Sequence, residues 1–140
     1  MPLKSSIADG LVANAILEHL PREKQAIAEI SRVMKKNTPL LLAMPLAFRY
    51  LWPFFWPINY WHDRRIGHLR RYCRTTILTK FKGYREVYIY YTGHLLKVIC
   101  LAIYFLTRKT SWNKLGEQLD SLFEKVPYGA SNVVAILKKL

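Results

Sequence analysis

Between positions 60 and 74 the chain concentrates side chains that can move protons or hold anions: Tyr60, His62, Asp63, Arg64, Arg65, His68, Arg70, Arg71, Tyr72 and Arg74. His68 is the natural general base of the set, because an unperturbed imidazole titrates near neutrality. The competing and commoner assignment makes His68 a structural ring that fixes its loop through a hydrogen bond to Asp63. The arginines can clamp a phosphate or carboxylate through paired, charge-assisted hydrogen bonds. The commoner alternative for such a run is a solvated basic face. A second pair, Glu18-His19, stands in a polar turn, where it can order the chain and cap the following helix. Cys73 and Cys100 have neither CxxC spacing nor histidines nearby at ligand spacing, so no metal site is expected. They read as free thiols of a reducing compartment, with a disulfide or metal site as the minor alternative.

These residues need elements to position them. Residues 7–13 read as an apolar strand, and residues 14–20 as a turn. Pro21 suits the first position of a helix, where its missing N–H is not needed, and that helix runs to about residue 36. Within it Ala26, Ile27, Ile30, Val33 and Met34 recur at helical spacing, while Lys35 and Lys36 oppose the dipole of the last turn. Asn37 is predicted to be a left-handed cap. Residues 39–44 are too short and too uniformly apolar for a surface helix and read as a buried parallel strand that closes on Pro45. The result is a β-α-β unit, the building block of an open α/β sheet.

The pattern then breaks. Residues 46–74 form an aromatic and basic insertion on the substrate side, with Pro53 and Pro57 arguing against one continuous helix. A short helix or loop is predicted there, followed by an extended segment around residues 61–68. A helix over residues 75–82 ends at Gly83, and residues 85–91 have strand chemistry. Residues 93–126 form an apolar helical segment, within which Ser111 caps a second helix. In that second helix Trp112, Leu115, Leu119, Leu122, Phe123 and Val126 share a face. A turn at Pro127-Tyr128-Gly129 precedes a last strand over residues 132–137.

At 140 residues, with 51% apolar side chains, residues 1–140 make a single domain and disorder is excluded. Of the net charge of +13, +6 falls in residues 61–90. Such a surface suits an anionic partner, either a phosphorylated small molecule or a phospholipid surface. Nucleic acid is the least favoured, since no recognition motif accompanies the charge. Residues 1–10 lack a basic start followed by an apolar run, so no signal peptide is expected. The expected location is the cytoplasm, with a peripheral membrane position as the second reading.

Particular words in the chain resemble the second half of a class I S-adenosylmethionine-dependent methyltransferase of the type 11 kind. They are Pro2-Leu3, Asp9, Leu17-Glu18-His19-Leu20, Glu29, Arg32-Val33-Met34-Lys35-Lys36, Leu40-Leu41-Leu42 and Pro45. Asn37-Thr38 replaces the family's usual glycine pair. Further on come Asp63, then Gly67-His68-Leu69-Arg70-Arg71-Tyr72, then Gly83-Tyr84. The resemblance covers residues 2–92 by specific words and the remainder by element order. It implies a partial Rossmann-like α/β sheet made of that fold's strands four to seven, with the last strand antiparallel and inserted beside the fifth.

By the same resemblance, ligands lie at the carboxyl ends of the strands. Ala13, Asn14, Ala15 and His19 would border S-adenosylmethionine. His68, Asp63 and Tyr72 would be the catalytic candidates, with Tyr60, His62, Arg64 and Arg70 on the side of a small, lipid-like or anionic methyl acceptor. Glycines 10, 67, 83, 93, 116 and 129 lie too far apart for the family's GxGxG loop, which belongs to the missing first half. The chain alone is therefore expected to bind the cofactor weakly or not at all. It would be a truncated product, a fragment or one half of a split enzyme, completed by an N-terminal half. The strand at residues 7–13 would then expose an apolar edge. The alternative is a non-catalytic module of the same fold that binds a membrane surface or a partner. The apolar run at 98–106 is read as a helix on the sheet, a helix in a membrane interface, or a lid over the acceptor pocket.

Overall fold

The computed structural model describes residues 2–140. Its centre is the β-α-β unit: strand β1 (Leu11–Asn14), helix α1 (Glu23–Val33) and strand β2 (Pro39–Pro45). The two strands pair in parallel from Leu11 opposite Leu40 to Asn14 opposite Ala43. Leu40, Leu42 and Met44 are buried on one face of β2, and Ile30, Val33 and Met34 of the α1 region are buried as well. Most of these meet in the main core cluster with Ala13, Leu17 and Leu137, and Ala26 and Ile27 pack against it. Asn37 takes a left-handed conformation, with φ 61°, but it does so in the turn before β2. Helix α1 already ends at Val33 with Met34 extended, so Asn37 does not cap the helix, and Lys35 and Lys36 lie beyond its last turn.

Several boundaries differ from expectation. The first strand starts at Leu11, and upstream only Ala8 makes a bridge, to Met34. Pro21 lies in a turn, and α1 begins two residues later. The segment expected to be extended around residues 61–68 is helical: α2 runs Trp56–Ile66 and stops at Gly67, whose φ is 78°. The prolines do not break α2, because Pro53 opens a 3-10 turn and Pro57 lies in the first turn of the helix. At both places a proline's missing N–H has no intrahelical acceptor to lose.

Helix α3 (Arg74–Lys80) follows, with the Cys73 thiol and the Thr76 hydroxyl closing its first turn. Strand β3 (Tyr84–Thr92) leads to helices α4 (Leu95–Thr107) and α5 (Thr110–Leu122), and strand β4 (Asn132–Lys139) closes the chain. Helix α5 starts from Lys109 without a side-chain cap, two residues before the predicted cap Ser111. The sheet order is β1-β2-β4-β3, and β4 is antiparallel to both neighbours. The expected fold class is therefore observed: an open, mixed α/β sheet with the last strand inserted antiparallel.

The α4–α5 pair springs from the same end of the sheet at which β1 and β2 finish. Gly116 lets the two helices approach closely, since a Cβ there would sit 2.9 Å from that of Cys100. Asp120 ties the pair down. It accepts hydrogen bonds from the Thr92 hydroxyl (2.5 Å) and from the backbone N–H groups of Gly93 (3.0 Å) and His94 (2.9 Å). Leu101, Phe105 and Leu106 of α4 and Leu115 and Leu122 of α5 stay exposed, so the expected shared face of α5 is largely uncovered. No helix among the described residues is long and apolar enough to cross a membrane.

Strand β1 has a single sheet neighbour among the described residues, as expected for an edge. Beside it runs an apolar groove of about 350 Å³, lined by Leu11, Val12, Ile16, Leu17 and Ile30. Val12 is 66% exposed there.

Candidate functional site

A pocket of about 380 Å³ opens at the carboxyl ends of β1 and β2. Asn14, Ala15, Glu18, Pro45, His68 and Asn132 contribute to its walls. Ala15 turns the chain away from β1 with φ 51°, while its N–H still donates to the Ala43 carbonyl at 2.9 Å. Glu18 and His19 follow in a 3-10 turn, Leu17–His19.

Two distant segments are laced together beneath this pocket. The N–H of Leu69 donates to the Glu18 carbonyl at 2.8 Å, and Arg70 donates to the carbonyls of Leu17 (3.0 Å) and Leu20 (2.6 Å). These bonds hold residues 67–70 against the turn after β1. Arg70, expected on the acceptor side, is thus engaged with backbone.

Asp63 is the hub of the second network. Arg71 grips both its oxygens, through Nε at 2.6 Å and Nη2 at 2.8 Å, and also reaches the Leu46 carbonyl at 2.9 Å. His68 Nδ1 lies 2.8 Å from Asp63 Oδ1. Burial opposes the charge of Asp63, but the hydrogen bonds from Arg71 and His68 outweigh it and hold its pKa below the usual carboxylate range. Asp63 is therefore placed to orient His68 and to tie α2 to the loop after it, as the structural alternative foresaw.

With Nδ1 on Asp63, His68 turns Nε2 toward Glu18, 3.8 Å from Oε1. Glu18 is fully buried, and neither carboxylate oxygen has a hydrogen-bond partner. The His19 ring lies 4.7 Å from that of His68, with its Nδ1 3.2 Å from the Gly67 carbonyl. His62 is one layer further out, its ring 6.3 Å from that of His68.

The remaining expected residues scatter. Tyr72 lies in the core, 1% exposed, and its hydroxyl donates to Glu23 at 2.7 Å. Burial first, and then Glu23, push its pKa well above the ordinary phenol value. It does not line the pocket, which corrects its place among the catalytic candidates. Ala13 is likewise a core residue, and only the Asn14-Ala15 part of that group reaches the pocket. Tyr60 and Arg64 sit on the outer surface of α2 with the guanidinium 5.8 Å from the ring centroid, and Arg65 covers Trp61 at 5.3 Å. Arg74 pairs with Glu86. Thr92 and Asn132 also line the pocket, and no motif in the sequence announced them. They arrive there because β3 ends, and β4 begins, beside the end of β2.

No protein-family model matches the sequence, and no curated protein matches it. Solved structures do. A SAM-dependent methyltransferase from Archaeoglobus fulgidus superposes with a TM-score of 0.64 at 20% identity, over 98% of this chain and 62% of its own. The geranyl diphosphate C-methyltransferase of Streptomyces coelicolor gives 0.62 at 12% identity, over 100% of this chain and 50% of its own. Phosphoethanolamine N-methyltransferase 2 of Haemonchus contortus, solved with S-adenosyl-L-methionine, gives 0.60 at 14%, over 98% of this chain and 34% of its own. The chain spans less than two thirds of each of these structures. At such identities the likeness establishes the fold, which is that of the SAM-dependent methyltransferases.

Proposed function

We propose that the chain supplies one side of an S-adenosylmethionine-dependent methyl-transfer site, as part of an enzyme. The observation that carries the reading is the position of the pocket. It lies at the carboxyl ends of β1 and β2, where ligands of open α/β sheets bind. The strand order with an inserted antiparallel β4 agrees with this. Asn14 and Ala15 would face the cofactor's methionine and adenosyl portions across a small-residue turn. The cofactor supplies an electrophilic methyl group, and the protein's contribution is to position an acceptor in line with it. His68, oriented by Asp63, holds the one imidazole on the pocket wall that is fixed at both the ring and the backbone. A small acceptor with apolar and anionic parts suits a basic surface rich in aromatic rings.

Most cofactor contacts belong to the part of the sheet that would pair with β1, whether the same polypeptide or a second one provides it. The free β1 edge and its apolar groove support this reading. Calorimetric titration of S-adenosylhomocysteine into the chain tests it. Affinity in the millimolar range is expected, and micromolar affinity would overturn the partial-site reading.

A second reading, a peripheral membrane surface, is favoured by the outer face of α2. Ile58 and Trp61 are each more than 60% exposed there, next to Arg64 and Arg65, and Phe54 of the preceding 3-10 turn is exposed to the same degree. Aromatic rings at headgroup depth with arginines on phosphates would suit an anionic bilayer. Flotation with anionic liposomes tests it: co-flotation that falls with salt is expected, and a chain left at the bottom at low salt refutes it.

A further inference from the structure

We propose that Glu18, His19 and His68 form a binding site for a divalent transition-metal ion, of the two-imidazole, one-carboxylate type. Each residue offers one ligand atom, and the three atoms lie within 4.8 Å of one another. The sequence hides this set, because His68 is far from the Glu18-His19 pair along the chain.

Three observations point to a cation rather than to a chance cluster. The Glu18 carboxylate is fully buried yet lacks any hydrogen-bond partner. A buried carboxylate is normally bonded, paired or coordinated, because desolvation alone is strongly unfavourable. In their neutral forms its near neighbours, the His19 and His68 rings, supply lone pairs, not donors. His19 Nδ1 faces the Gly67 carbonyl, which can only accept, so Nδ1 carries the proton and Nε2 carries the lone pair. His68 Nδ1 faces the Asp63 carboxylate and is assigned in the same way.

Both rings are thus held by outer partners, a carbonyl and a carboxylate, in the arrangement that orients metal-ligating histidines. The Asp63–Arg71 pair locks the carboxylate partner in turn. Ligand atoms around one ion at about 2.1 Å lie roughly 3–4 Å apart, so a rotation of the partly exposed His19 would complete the set. Imidazole ligands favour ions of the Zn²⁺, Co²⁺ or Ni²⁺ class, whereas Mg²⁺ and Ca²⁺ prefer oxygen. Glu18 and His68 line the pocket, so the remaining coordination positions open toward it. There an oxygen of a bound small molecule or water would complete the shell. The site stands on this geometry and does not depend on the methyl-transfer reading.

The test is titration of the metal-free, full-length chain with Co²⁺, followed by visible absorption and by equilibrium dialysis. One ion per chain is expected, displaced by Zn²⁺ and not by Mg²⁺. Glu18→Gln and His19→Ala should each weaken binding by roughly 100-fold or more, while Asp63→Asn, acting through His68, should weaken it about 10- to 100-fold. His62→Ala should leave it unchanged. Absence of stoichiometric binding, or binding that survives both Glu18→Gln and His19→Ala, would overturn the proposal. Imidazole nitrogen NMR of the unmutated chain gives an answer independent of variant folding. On addition of Zn²⁺ the Nε2 signals of His19 and His68 should move while their Nδ1 protons persist. Nε2 signals that stay in place at saturating Zn²⁺ would equally refute it.

Discussion

Replacing Glu18 with methionine should make the protein more stable. The side chain is fully buried, and both of its oxygens are without partners. An unsatisfied buried polar group destabilises by about 1–3 kcal/mol, and more when charged. Methionine is unbranched, of similar length and adaptable to an irregular site, so it keeps the packing and removes the polar atoms. The expected gain is about 2 kcal/mol. With a urea m-value of about 1–3 kcal/mol/M, that moves the unfolding midpoint up by roughly 1 M. Glu18→Gln removes the charge but adds two N–H donors, and should gain less. The nearest group able to offset the carboxylate is His68, with Nε2 at 3.8 Å. Urea unfolding is therefore followed in metal-free buffer with a chelator at pH 8.5, where free imidazole is neutral. A midpoint that is unchanged or lower in Glu18→Met would refute the reasoning, since it would mean that the carboxylate is already satisfied in the folded chain.

Asp63→Asn should lower stability by about 3–5 kcal/mol, because it strands the buried Arg71 guanidinium, 8% exposed, without its counter-charge; urea midpoints would show it. The α4–α5 pair should come loose in acid. Thr92, the two backbone N–H groups and His94 overcome the opposing effect of burial and depress the pKa of Asp120, with Lys97 3.4 Å away. Its contribution is thus complete above the ordinary aspartate pKa of about 4 and is lost as pH falls below it. Hydrogen exchange at low pH should therefore show α4 and α5 losing protection before β2 and β4, and simultaneous loss would count against this anchor. Replacing Ile58 and Trp61 together with serine should abolish liposome flotation without shifting the melting temperature, if the outer face of α2 is the membrane contact.

The β-α-β unit was legible because period and burial agreed there. Ile30, Val33 and Met34 recur at helical spacing, and all three are buried. The left-handed backbone of Asn37 was legible because few residue types accept its φ, but its place was not, since α1 ends at Val33 and Asn37 lies in the turn before β2. Helix α2 was misread because a proline says that a helix does not pass through, but not whether one begins there. The site was legible only in part. The sequence words around Glu18 and His68 marked both segments, and Asp63 was paired with His68 correctly as the structural alternative. What the sequence could not reveal was that Leu69 and Arg70 bind the turn after β1 and so bring His68 over Glu18. Tyr72 illustrates the opposite failure: His68 of the same motif lines the pocket, while the Tyr72 side chain points into the core toward Glu23.

The central claim is that the end of the sheet formed by β1 and β2 faces a methyl donor. Backbone amide NMR of the chain, titrated with S-adenosylhomocysteine into the millimolar range, addresses it directly. The account predicts shifts that centre on Asn14, Ala15 and Glu18 and extend to Asn132. Shifts confined to the outer faces of α4 and α5, or none at those four residues, would contradict it.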